Sequence, residues 1–422
     1  MLTDALKDIL SSDKKRILLY GLPGLGKTYS VMSLSEQNPG GFAVVNFRSD
    51  DTTDLISVIR SGYDITEALV DTYRIPAELI GTVRFVLDEF TECDGFPEIE
   101  DLMTAPRDAL KYPELGIIYV TSDISWAERY KTRFDATLKA QKIAFDEYLR
   151  ISDNTWYAQV IEAHMTGKKS MPALIHNELI NLYYEYISTG GYPRAVYESV
   201  KELPLIYPED LAAERYFEML GRIASAGETP AGTANKLQII NTIPECAKNS
   251  KFVIARTGRR HISKDRLECD IDDLVNAGLL IRIPRLGSDS YSLALTDDAV
   301  YWYLLRKNSA RLELSEEKIK ELVLENHIRN IFAAQGLKVM TWAGKYRLRI
   351  NVLIEKDGKY CPVRTTCSKS VRRSGTDEFL NEFGNKTFAQ IHFTENTYNE
   401  SNGTVFMPLY GCEYINTIIP QQ

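Results

Sequence analysis

The sequence predicts an α/β chain whose N-terminal part is a parallel sheet with crossover helices. Two observations predict it. Four compact apolar runs, Arg16 to Tyr20, Phe42 to Phe47, Arg84 to Leu87 and Gly116 to Thr121, are rich in Val, Ile or aromatic residues, and charged amphipathic spacers separate them. Strands buried on both faces read as such runs, and spacers of this kind carry the crossover helices. The first run also ends in Gly21-Leu22-Pro23-Gly24-Leu25-Gly26-Lys27-Thr28, a strand-to-helix turn of the form G-x-x-x-x-G-K-[ST].

Residues Leu2 to Leu10 ahead of the first run have the apolar spacing of a short helix. Leu174 to Tyr186 reads as a helix stopped by Gly190-Gly191-Tyr192-Pro193. Pro204, Tyr207 and Pro208 mark a loop, Leu211 to Ile223 a charged and apolar run, and Gly227 to Ala234 an interruption. Helices are then expected over Lys236 to Ile243 and Lys264 to Leu280. A strand at Leu279 to Ile283, a turn near Gly287 and a strand at Tyr291 to Leu295 complete a winged-helix pattern. The last segment predicts a helix from Leu314 to Gln335 and strands at Lys338 to Trp342, Arg349 to Glu355 and Lys359 to Thr365. Asp357-Gly358 is a hairpin turn between the last two. Strand-like runs recur at Phe388 to Thr394 and Thr404 to Tyr410.

Composition bounds the class. The chain of 422 residues has 44% hydrophobic and 26% charged residues and a formal net charge of -8. That is the balance of a soluble globular protein of two to four domains, and it disfavours wholesale coating of nucleic acid. Six dispersed cysteines and five dispersed histidines show no zinc-ligand spacing and suggest free thiols in a reducing compartment. No apolar stretch reaches the roughly 20 residues of a membrane span, and no signal-peptide core is visible. A cytoplasmic protein without membrane association is expected.

The glycine-rich turn is a phosphate cradle. Its glycines let backbone amides wrap an anion at a helix N-terminus. Residues Gly21, Leu22, Pro23, Gly24, Leu25, Gly26, Lys27, Thr28 and Tyr29 are therefore the expected ATP-binding set. Lys27 would reach the β- and γ-phosphates and Thr28 would put its hydroxyl on Mg²⁺. The run Arg84-Phe-Val-Leu-Asp88-Glu89 ends a buried strand in two acids, which is costly unless a metal, water or a base role compensates. Asp88 is expected to hold Mg²⁺, and Glu89 to polarise the attacking water. Thr121 or Ser122 is placed to sense the γ-phosphate or hold the lytic water, or else to cap the helix that follows. Arg129 and Arg133 lie just beyond, and either is a candidate for neutralising transition-state charge, in cis or across a subunit interface.

These residues resemble the AAA-like branch of P-loop ATPases. Two later motifs narrow the resemblance. Ile143-Ala-Phe145-Asp-Glu147-Tyr148-Leu149 is similar to the "LSF-x-E-F/Y" segment of the prokaryotic ATPases that carry an archaeal-type AAA domain and a C-terminal DUF4143 domain. Gly190-Gly191-Tyr192-Pro193 matches their "GGFP" signature, although Arg194-Ala195-Val196 follows where an acid and Ala are usual. The resemblance implies a winged-helix-like region and then a domain like the restriction-endonuclease core, with Leu324-Glu325-Asn326 as its "LEN" helix. Where the family shows "E-V-D-F" and "E-V-K", this chain has Arg349-Ile350-Asn351-Val352 and Pro362-Val363-Arg364. With Glu325 the one acid left, Mg²⁺ has too few carboxylates, so nuclease activity is not expected and a scaffold or recognition role is.

A basic segment, Lys248 to Arg266, includes Lys251, Arg256, Arg259, Arg260, Lys264 and Arg266. It is the candidate DNA contact, but Glu268, Asp270, Asp272 and Asp273 follow at once. Lys369, Arg372 and Arg373 form a second basic cluster. Three segments are expected: an AAA-like P-loop ATPase with a helical extension (1–203), a winged-helix-like segment (204–310) and a degenerate nuclease-like segment (311–422). The function expected is Mg²⁺-dependent ATP binding and hydrolysis that drives or gates a conformational change on DNA or a protein partner. The alternative is a nucleotide-dependent scaffold or switch with protein-binding C-terminal domains and negligible hydrolysis.

Overall fold

A computed structural model describes residues 2–201, 206–225, 229–249, 263–345, 348–367 and 375–419. They form two compact units, Met1–Lys142 and Ile143–Gln422. In the first, α1 (Leu2–Leu10) precedes β1 (Arg16–Tyr20) and α2 (Lys27–Gln37). Then come β2 (Phe42–Asn46), α3 (Thr53–Arg60), α4 (Ile65–Tyr73), β3 (Arg84–Asp88) and α5 (Phe96–Met103). β4 (Gly116–Thr121), α6 (Ile124–Tyr130) and β5 (Ala136–Lys139) complete it. All pairings are parallel and the strand order is β2-β3-β4-β1-β5.

The continuous apolar runs are continuous because both sheet faces are covered. Leu18, Phe85, Leu87, Ile117 and Tyr119 pack on one side with Leu55, Ile59, Leu69, Ile99 and Trp126 of α3 to α6. Ile17, Leu19, Val86, Ile118 and Val120 pack on the other with Leu6 of α1 and Val31 and Leu34 of α2. Each such side chain contributes about 1.5–3 kcal/mol relative to exposure. The expected strands are all present, and β5 is additional. The result is a five-stranded, all-parallel α/β sheet covered by helices on both faces.

The second unit starts with α7 (Phe145–Ile151), α8 (Thr155–Thr166), α9 (Ala173–Thr189) and α10 (Pro193–Ser199). α11 (Pro208–Ser225), α12 (Pro230–Asn249) and α13 (Lys264–Asn276) lead into a two-stranded hairpin, β6 (Leu280–Pro284) and β7 (Tyr291–Leu295). After α14 (Asp298–Lys307), α15 (Ser309–Leu312) and α16 (Glu316–Ala334) come β8 (Lys338–Ala343), β9 (Arg349–Lys356), β10 (Lys359–Thr366) and α17 (Thr376–Phe383). β11 (Ile391–Thr394), β12 (Asn399–Ser401) and β13 (Thr404–Pro408) end a mixed six-stranded sheet of order β12-β13-β11-β10-β9-β8. One core runs from Ile143 and Phe145 through Leu304 and Phe332 to Ile415 and Ile419. Helices α7 to α10, which the sequence reading groups with the first segment, thus pack with the later residues.

Several motifs have a packing explanation. Gly190 and Gly191 end α9 with φ of 65° and 70°. A Cβ on Gly190 would lie 2.9 Å from Asp297 Oδ1, so the close approach needs glycine as well. Asp297 caps α14 and pairs with Arg215 at 2.8 Å. At the β9–β10 hairpin, Asp357 and Gly358 have φ of 52° and 73°, the two positive angles a type I′ turn requires. The interruption expected at 227–234 is a helix from Pro230 onward, because proline lacks only an amide that the first turn leaves unbonded anyway.

Asn326 joins three elements of this unit. Its side chain accepts from Leu295 N at 3.1 Å and donates to Leu295 O and Asp298 Oδ1 at 2.8 and 2.7 Å. His327 beside it bridges Asp298 Oδ2 and the Tyr183 hydroxyl at 2.8 and 3.0 Å. Asn326→Ala leaves buried backbone groups of β7 and one Asp298 oxygen without this partner. The expected loss is about 2–3 kcal/mol in the second unit. Denaturant unfolding followed by Trp302 and Trp342 fluorescence measures it, and an unchanged midpoint contradicts the network's importance.

Candidate functional site

Three strands deliver the site to one edge of the first sheet. β1 ends at Tyr20, and Gly21 turns the chain with φ of 148° while its amide donates to Thr121 O at 3.3 Å. A Cβ on Gly21 would meet Ala140 O at 2.8 Å, so the turn lies against the end of β5 with no room for a side chain. Gly24 and Gly26 adopt φ of 78° and 79°. Gly26 is also the N-cap of α2 and supplies no side-chain acceptor. The α2 N-terminus therefore lacks the usual hydroxyl or carboxylate cap, as an anion-binding helix end requires. Asn38-Pro39-Gly40-Gly41 stops the helix at its other end.

Lys27 opens α2 and is only 4% exposed. Its Nζ lies 2.8 Å from Gly21 O, 3.1 Å from Leu22 O, 2.9 Å from Ser122 Oγ and 4.0 Å from Glu89 Oε1. Thr28 Oγ1 lies 3.1 and 3.0 Å from the two oxygens of Asp88. Tyr29, in contrast, is 72% exposed. Leu25 is buried, whereas Leu22 and Pro23 are partly exposed on the turn.

Asp88 is buried at the end of β3 and makes no ion pair among the described residues. Burial raises its pKa above the usual carboxylate value, the Thr28 hydroxyl opposes that rise, Glu89 adds to it, and Lys27 and Arg48 oppose it. The hydroxyl-plus-carboxylate set of Thr28 and Asp88 fits a hard divalent cation, whose charge would offset the desolvation. Glu89 follows in the left-handed region at φ 53°, a conformation that costs energy for a side chain with a Cβ. That turn brings it back under the end of β4. There Ser122 donates its amide to Glu89 Oε2 at 2.8 Å and its hydroxyl to Glu89 Oε1.

The structure separates Thr121 from Ser122. Successive residues on a strand point to opposite faces. Thr121 Oγ1 lies 2.7 Å from Thr91 Oγ1 and receives Asp123 N, whereas Ser122 bridges Lys27 and Glu89. The helix-capping role belongs to Asp123, whose carboxylate accepts from Trp126 N at 2.8 Å. Arg133 is not brought to this edge. It donates to Thr104 Oγ1 at 2.8 Å and Asp101 Oδ1 at 3.4 Å and lies over the Tyr130 ring, near the start of β5 at the opposite end of the strands. Arg129 likewise lies near the Tyr130 ring.

Two contributors escape motif reading. Asn46 pairs with Asp88 in the β2–β3 register and donates to Asp88 Oδ2 at 3.1 Å. Arg48 forms a two-nitrogen pair with Glu92 and sits 3.8 Å from Glu89 Oε1. A polar residue ending an apolar strand was the available signal for Asn46; Arg48 has none.

Of the basic segment, Lys251, Arg256, Arg259, Arg260 and the Lys248 side chain lie outside the described residues, as do Lys369, Arg372 and Arg373. Lys264 and Arg266 are exposed at the start of α13. Arg266 pairs with Asp270 at 2.8 Å, Lys236 with Asp273 at 2.7 Å, and Arg282 with Glu268 and Asp272. The acids of α13 thus have cationic partners of their own. Among the described residues, no helix is long and apolar enough to cross a membrane.

Neither a family model nor a curated protein matches the sequence. Among solved structures the chain is similar to the Walker-type ATPase PABY2304 of Pyrococcus abyssi, at 12% identity over 72% of this chain and 94% of that one, with a TM-score of 0.45. It is also similar to the RuvB Holliday junction branch migration motor of Thermotoga maritima, at 15% identity over 74% and 93% of the two chains, with a TM-score of 0.31.

Proposed function

We propose that the first unit binds ATP with Mg²⁺ and hydrolyses it, and that the nucleotide state gates a conformational change acting on DNA or a protein partner. The convergence of Lys27, the Thr28–Asp88 pair, Glu89 and Ser122 beside the uncapped start of α2 carries this reading. Ligands of parallel α/β sheets lie outside the carboxyl ends of the strands, where these residues are. The amides of the turn and Lys27 would hold the phosphate oxygens, and Tyr29 is exposed for contact with the nucleoside. Mg²⁺, when held through Thr28 and Asp88, supplies neutralisation of developing phosphate charge. Glu89 would orient and deprotonate water for attack on the γ-phosphorus, with Ser122 and Lys27 fixing its position.

The alternative, a switch with negligible hydrolysis, draws support from one contact. Both Glu89 oxygens accept from Ser122, one from its amide and one from its hydroxyl, so Ser122 competes with a water for the carboxylate. Ser122→Ala decides between the readings. A latch predicts basal turnover several-fold above the parent, whereas a part of the machinery predicts a fall.

Lys27→Ala is expected to lower ATP turnover by about 100-fold or more, and Glu89→Gln to keep ATP bound while turnover falls about 100-fold or more. Phosphate release and fluorescent-nucleotide binding measure both; parent turnover no higher than that of Lys27→Ala, with DNA and partners supplied, would sink the ATPase reading. The raised pKa of Asp88 means the native state takes up its proton before the unfolded chain does. Its contribution to nucleotide-free stability therefore improves as pH falls through that raised value and is unfavourable above it. Asp88→Asn should raise the melting temperature of the nucleotide-free protein at neutral pH and abolish Mg²⁺-dependent ATP binding. A lowered melting temperature contradicts the assignment. For DNA, reversing Arg259, Arg260 and Lys264 should remove salt-dependent binding; DNA affinity that survives the reversal points to another surface.

A further inference from the structure

Backbone hydrogen bonds fasten the turn after β2 to the edge that carries Lys27 and Asp88. Phe47 is buried, and its amide donates to Asp88 O at 3.0 Å. The Asn46 side chain reaches both ways. Its Nδ2 donates to Asp88 Oδ2 at 3.1 Å, and its Oδ1 accepts from Arg48 N at 2.9 Å. Asn46 N donates in turn to Asp50 Oδ2 at 2.7 Å. The backbone of Arg48 is thus tied to the end of β3, while its side chain extends from a fixed base.

Two carboxylates of one short turn meet that side chain. Glu92 N donates to Glu89 O at 2.9 Å and closes a single 3₁₀ turn over Phe90–Glu92. Arg48 pairs through Nε and Nη2 with the two oxygens of Glu92, and Nη2 lies 3.8 Å from Glu89 Oε1. The same Glu89 oxygen is 4.0 Å from Lys27 Nζ. Arg48 Nη2 and Lys27 Nζ are therefore at most about 8 Å apart. Two N–H···O bonds of about 2.7–3.2 Å cover most of that span, and two oxygens of one phosphoryl group cover the rest.

The Arg48–Glu92 pair is also easy to exchange. The two side chains are 37% and 43% exposed. An ion pair this open to solvent contributes little, because water screens it and ordering two long side chains costs entropy. Arg129 and Arg133, the arginines that the sequence offers for charge neutralisation, lie at the Tyr130 ring instead.

We propose that Arg48 is a catalytic residue supplied in cis, which exchanges Glu92 for the γ-phosphoryl oxygens as that group is transferred. The proposal rests on the ATPase reading above. In the step it serves, the water oxygen bonds to the γ-phosphorus while the bond from that phosphorus to the β–γ bridging oxygen breaks. The water proton passes to Glu89, and the electron pair of the broken bond stays on the oxygen that leaves with ADP. The Arg48 guanidinium, planar and always charged, meets the negative charge on the transferred group together with Lys27.

The test measures ATP turnover and fluorescent-nucleotide affinity for the full chain and for Arg48→Ala, Arg48→Lys and Glu92→Gln, with Lys27→Ala as the baseline. Arg48→Ala is expected to lower kcat by about 30-fold or more. KM and nucleotide affinity should stay within about threefold of the parent, as for a contact made only in the transition state. Arg48→Lys should recover part of the loss. Glu92→Gln removes the resting partner and leaves Arg48 in place, so it should turn over at the parent rate or faster. A purely structural Arg48–Glu92 tie predicts instead that Glu92→Gln falls as Arg48→Ala does. That fall overturns the proposal even if Arg48→Ala does not fold, and so does parent kcat in Arg48→Ala; both results leave the ATPase reading standing. Parent turnover no higher than that of Lys27→Ala overturns the ATPase reading, and this proposal with it.

Discussion

The hold of Ser122 on Glu89 depends on one constraint, the position of β4 between β1 and β3. With β4 there, the strand end that carries Ser122 lies beside both the phosphate-binding turn and the acids. Placing β1 and β3 side by side would bring Lys27 and Glu89 together with nothing polar and neutral between them. The inserted strand turns an ion pair into a relay in which a neutral hydroxyl touches both charges.

The same edge concentrates polar groups that burial makes expensive. Lys27, Asp88 and Glu89 are each about 95% buried or more. Lys27 and Glu89 meet each other through Ser122 and near Arg48, but Asp88 meets only a hydroxyl and an amide among the described residues. A buried carboxylate satisfied by neutral donors keeps its desolvation cost, which is why its pKa is raised. The left-handed turn at Glu89 adds backbone strain. Cost concentrated on one residue pair, beside an uncapped helix end, is what a binding site retains and a purely structural edge loses.

What was legible in the sequence follows from how local each signal is. The phosphate-binding turn and the Asp88-Glu89 strand end are contiguous, so the strand-to-helix context and the buried acids could be read directly. The choice of Ser122 over Thr121 needs the facing of β4, and the parts of Asn46 and Arg48 need the β2–β3 register, which is non-local. β5 was missed because Ala-Thr-Leu-Lys is short and half exposed, and pairing with β1 alone makes it a strand. The grouping of α7 to α10 with the first segment followed chain order, whereas shared burial with α14, α16 and the C-terminal sheet places them elsewhere.

In the second unit the residues of Leu324-Glu325-Asn326 have a packing explanation of their own. Adjacent residues on α16 have different partners: Asn326 and His327 turn into the core and tie α14 and β7 together, while Glu325 accepts from the Asn351 side-chain amide on β9. The Asn351 side-chain amide donates to both oxygens of Glu325, at 2.9 and 3.0 Å. Pro362 sits in β10 just before the ladder to β11 begins at Val363, a place where a strand tolerates a missing amide.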